Sequence, residues 1–153
     1  MITSQLLDQR VIQFQSQPAE IDKLLNHLQS NQELLMDILI GSHAELLTEE
    51  ELDYLIFLFL VIYGTAQKLQ IIPEFTEDQI IKTEEKSWQI INEHNDYDTA
   101  IEAFYQQFSN QDLIEFIDLS IAPDDENEIE ITGPGRLILL AVLTALSGLL
   151  AAS

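Results

Sequence analysis

Three histidines and 27 carboxylates are the side chains of this 153-residue chain best suited to holding a metal or moving a proton. Their spacing points away from the familiar ways of doing either. A di-iron helical bundle needs Glu-x-x-His on two helices. Leu24, Ile40 and Ile91 stand three residues before His27, His43 and His94, so that pattern is absent. His-Glu-x-x-His is absent too. The run Asp124-Asp-Glu-Asn-Glu-Ile-Glu130 begins like a calcium loop, with acids at its first, third and fifth positions. Such a loop needs glycine sixth and glutamate twelfth. Ile129 and Gly135 stand there instead, so the run reads as a solvated loop.

Nucleophilic chemistry has no better footing. The chain lacks cysteine, which removes thiolate catalysis, zinc–thiolate sites, iron–sulfur clusters and disulfides. It also lacks Gly-x-Ser-x-Gly and the glycine-rich phosphate loops. Gly133-Pro-Gly135 before a helix would offer backbone N–H groups to an anion, but the acids just upstream repel one. Glu84 and Glu85 fall between Ile81 and Trp88 on the apolar face of one helix. A carboxylate beside apolar surface can serve as an acid or base. The simpler reading is a turn overhanging the core edge, with Lys82 and Lys86 beside it. His27 lies off the apolar stripe of its helix, His43 sits in a turn, and His94 ends a polar helix. No catalytic residue, metal ligand or cofactor is therefore expected.

The elements that must position these side chains are helices. Ile21, Leu24, Leu25 and Leu28 recur at i, i+3, i+4, i+7, as do Ile101, Phe104, Tyr105 and Phe108. Leu113, Ile114, Ile117 and Ile121 follow more loosely. Ser30 with Glu33, Thr48 with Glu51 and Thr76 with Gln79 have the spacing of capping boxes. Pro18 suits a first turn, Asp98 a cap, and Gly133-Pro134 a helix start. These signals predict eight helices, over 4–16, 18–29, 31–40, 48–71, 76–95, 98–108, 110–121 and 134–151. Short connections favour antiparallel neighbours. The expected fold is all-α: one helical-bundle domain over 1–153, with an acidic surface loop at 122–133.

Two helices, 48–71 and 134–151, are largely apolar on every face and must be surrounded. The expectation is that they lie centrally, covered by the amphipathic helices. A second subunit covering one of them is the alternative. Neither reads as a membrane span, a C-terminal tail anchor at Leu137–Ala152 being the minority alternative. The ten apolar residues Tyr54–Tyr63 are too few, and the uncharged sixteen of Leu137–Ala152 reach roughly 24 Å against a hydrocarbon core near 30 Å. No secretory signal pattern opens the chain, so the default location is cytoplasmic.

Charge carries the functional expectation. The net charge is −21, distributed as −4 over residues 1–47, −18 over 48–132 and +1 over the last 21 residues. That field argues against nucleic acid and anionic membranes, which require cationic surfaces. It attracts a basic protein and speeds association. The acids expected to face a partner are Asp124, Asp125, Glu126, Glu128 and Glu130, together with Glu49, Glu50, Glu51 and Asp53. The expected function is non-catalytic protein binding, as an adaptor, inhibitor or chaperone-like factor. A carboxylate-dependent metal protein or enzyme and a self-associating structural subunit are the alternatives.

Overall fold

A computed structural model describes residues 1–94, 96–122 and 129–152. Among the described residues the chain is an all-α bundle of eight helices with no strand. The helices are α1 (Ser4–Ser16), α2 (Ala19–Asn31), α3 (Glu33–Leu39), α4 (Glu49–Leu69), α5 (Glu77–Asn92), α6 (Tyr97–Gln107), α7 (Gln111–Ile121) and α8 (Gly133–Ala152). A 3-10 turn, Gly41–Leu46, joins α3 to α4.

The two apolar helices lie at the centre. α8 packs against α3, α4, α5 and α7, and every residue from Ile138 to Leu150 is buried except the half-buried Gly148. α4 runs beside it and is buried throughout Leu58–Ala66. Both helices have the length and hydropathy to cross a membrane. Here α8 buries its apolar surface against the rest of the bundle and is covered within the single chain, while α4 is covered over part of its length. Small residues let α5 approach α8 closely: a Cβ on Gly148 would lie 3.1 Å from Thr83 Cγ2. The hydroxyls of Thr144 and Ser87 hydrogen-bond across that interface at 3.1 Å. α1 and α2 cover α4 from the other side with Leu7, Phe14, Leu24 and Leu28.

Local capping explains most helix starts, and the observed helix ends correct three expectations. Thr48 with Glu51 and Thr76 with Gln79 form the predicted capping boxes. Ser30 does not cap α3. α2 continues through it, and the Gln32 N–H still bonds Leu28 O at 2.7 Å. Asp96, not Asp98, caps α6, accepting the Thr99 N–H at 2.8 Å. α5 ends at Asn92 rather than at residue 95, with the Glu93 N–H bonding Gln89 O at 3.0 Å.

Gln32 shows what the pattern of apolar residues misses. It is buried, and its amide donates to Pro73 O at 2.7 Å and to the Tyr63 hydroxyl at 3.3 Å, while its carbonyl accepts the Phe75 N–H at 3.3 Å. One side chain thus ties the segment between α4 and α5 to α4 and to the start of α3.

Candidate partner-binding groove

The predicted acidic set divides sharply. Glu49, Glu50, Asp53 and Glu130 are exposed. Asp124, Asp125, Glu126 and Glu128 lie outside the described residues. Glu51 is a correction: at 1 % exposure it is withdrawn from any partner. One carboxylate oxygen accepts the Thr48 N–H at 2.9 Å. The other accepts the Thr132 N–H at 2.8 Å and the Thr132 hydroxyl at 2.9 Å. Thr132 Oγ1 in turn accepts the Gly135 N–H at 3.1 Å. Glu51 therefore joins the N-termini of α4 and α8, where its negative charge complements unsatisfied N–H groups. Burial pushes its carboxyl up, but the hydrogen bonds from Thr48 and Thr132 outweigh burial and hold it below the ordinary carboxylate range. Gly135 is required at this junction, because a Cβ there would overlap the Glu51 carboxylate.

α8 is enclosed, but α4 is not enclosed along its whole length. Tyr54 and Phe57 are half-buried, and they form the floor of a groove of about 430 Å³ between α1 and α7. Val11 on one side and Phe116 and Leu119 on the other supply its apolar walls. Leu119 is 65 % exposed, and Ile12, one turn from Asp8 on α1, is 62 % exposed. Asp8 and Glu115 line the same groove, and no lysine, arginine or histidine does. Glu50 is four residues before Tyr54, and Asp53 four before Phe57, so helical spacing sets both acids one turn N-terminal to the floor. Ser4, Gln15 and Ser120 also line it, so the site is a mixed trough whose apolar floor and walls stand beside acids.

Its walls are fastened in place. Arg10 of α1 donates to Gly64 O of α4 at 2.9 Å, and its guanidinium lies 5.6 Å from the Phe14 ring centroid. Asn110, which caps α7, donates to Ile2 O at 3.0 Å, and Asp112 accepts the Ser4 N–H at 3.1 Å. At the far end of α7, Tyr54 donates its hydroxyl to Ser120 O and Arg136 Nε donates to Ile121 O at 2.9 Å. The Arg136 guanidinium also stacks on Tyr97, 3.4 Å from its ring centroid. Tyr97 donates to Asp118 at 2.9 Å, and burial, then the Asp118 charge, pushes its hydroxyl far above the ordinary tyrosine value. Because both walls are anchored, a ligand entering the groove need not order them.

Other chemistry-bearing residues meet elsewhere. His43 Nε2 approaches Glu84 Oε1 at 3.4 Å, with the Trp88 ring 6.0 Å from the imidazole. The fold separates Glu84, half-buried against the 3-10 turn, from the exposed Glu85. Neither His43 nor Glu84 lines the groove. Among the described residues, no three histidines or carboxylates converge as a metal site would need. A second cavity, of about 450 Å³, includes Lys86 and, among the described residues, no Asp or Glu in its lining. The C-terminal ends of α4, α6 and α8 meet the N-terminal end of α7 there.

No family model matches this chain, and neither a curated protein nor a solved structure matches it.

Proposed function

We propose that this protein is a non-catalytic binding module for a basic protein. The observation that carries the reading is the groove over Tyr54 and Phe57, where incompletely covered apolar side chains sit within a rim of Asp8 and Glu115. Apolar contact supplies affinity and the rim supplies selection and encounter rate. The net charge of −21 extends the attraction beyond the groove itself.

Capture from a native extract on the immobilised full chain tests the reading. The expected result is a discrete protein of net positive charge, retained at low ionic strength and released as salt rises. Replacing Asp8 and Glu115 together by lysine should abolish its retention without unfolding the chain, since both side chains are exposed. Retention insensitive to salt and to this charge reversal would refute the electrostatic reading.

A further inference from the structure

The geometry points to a definite occupant of the groove: an amphipathic α-helix of the partner, with an apolar stripe flanked by lysine or arginine. This inference rests on the proposal above that the partner is basic. The groove runs between two helices, α1 and α7, with a third, α4, as its floor. A fourth helix laid there would complete the packing that the bundle provides around α8. The apolar residues offered to it are Val11, Tyr54, Phe57, Phe116 and Leu119, so the matching surface is a stripe with i, i+3, i+4, i+7 spacing. An extended peptide lacks the same fit, because a helical bundle presents no sheet edge for backbone pairing.

Charge decides between the candidate helices. Asp8 and Glu115 flank the trough on opposite walls, so cations on both sides of the stripe meet carboxylates. A second copy of this chain is the wrong occupant, since it would bring a further −21 against the rim. The C-terminal helix of the partner, an internal helix or a free peptide would all satisfy the same rule.

Synthetic peptides of about five turns, ~18 residues, test the inference against the full chain by fluorescence anisotropy. The first carries leucines at i, i+3, i+4, i+7 with flanking lysines. The second has the same composition with the stripe scrambled. The third keeps the stripe and replaces lysine by glutamate. The expected result is micromolar or tighter binding of the first, and at least about tenfold weaker binding of the other two. Leu119→Glu, an exposed substitution, should weaken the first peptide by about tenfold or more while circular dichroism shows an intact helical fold.

Equal binding of the striped and scrambled basic peptides would overturn the helix-in-groove inference and leave the basic-partner reading standing. Equal binding of the lysine and glutamate peptides would overturn both. Binding of the striped peptide unaffected by Leu119→Glu, or no binding by any peptide, would overturn the groove as the seat of a helix.

Discussion

Glu51 is the residue on which the largest single consequence rests. It belongs to a recognisable capping box, and it also belongs to the most acidic stretch of α4, Glu49-Glu-Glu51. Spacing identifies its first role. Its second role, capping α8 through Thr132, spans 81 positions of sequence and is invisible to any local pattern. Replacing Glu51 by Gln should cost about 1.5–3 kcal/mol in urea unfolding, the range for hydrogen bonds to a charged group. The pH dependence has a fixed sign. Its folded-state pKa is lowered, so its contribution is complete above the ordinary carboxylate range. That contribution is lost as pH falls through this range toward the lowered value. The wild type should lose stability over this window more steeply than Glu51→Gln. Gly135→Ala should destabilise by forcing the carboxylate aside. The two sites share one contact, so Gly135→Ala should cost distinctly less in a Glu51→Ala background, a coupling that a double-mutant cycle reads directly.

At the scale of elements, periodicity, capping spacing and, for 48–71 and 134–151, apolarity on every face together located the helices, and the errors fell at helix ends and on helix faces. Ser30 has the right type for a cap, but its backbone is already committed to α2. Spacing puts Ile81 with the apolar face of α5, yet it is 37 % exposed. The buried line instead includes Ile80, Ser87 and Ile91, because the small Ser87 admits α8 where a large side chain would hold it off. The α4–α5 connection depends on one amide. Replacing Gln32 by Leu removes its donors from Pro73 O and Tyr63 and leaves the buried Phe75 N–H without its acceptor. A loss of about 1–3 kcal/mol follows. Hydrogen exchange should accelerate at Phe75 more than in α8, which shows that the connection loosens before the core does.

For the whole molecule, the excess of 27 acids over 6 bases sets the leading electrostatic term. Few local pairs relieve it: two lysine–carboxylate bridges, Lys23–Glu20 and Lys82–Asp78, are formed among the described residues, and both lysines are highly exposed. Exposed pairs of this kind contribute little. Self-repulsion of the folded chain should therefore respond to screening. Raising ionic strength from about 0.01 to 0.15 M shortens the Debye length from roughly 30 to 8 Å and should raise the urea midpoint. The same salt should weaken a basic partner in the groove. Stability and partner affinity thus move in opposite directions on one titration, and unfolding and capture measured in parallel check both.

The amino-acid sequence by itself determined the helices, their central apolar pair and the negative field. Those features follow from local periodicity, capping spacing and charge summed along the chain. It also put Glu50 on one helical line with Tyr54 and Phe57, so part of the groove could be read before the fold was known. Tertiary structure decided which acids stay at the surface and which apolar face stays uncovered. Glu51 turned inward because Thr132 and Gly135 meet it from the start of α8. The Tyr54–Phe57 face stayed open because α1 and α7, each anchored by its own hydrogen bonds, stand on either side of it without closing over it. Both outcomes depend on contacts between residues far apart in sequence, and no local pattern encodes them.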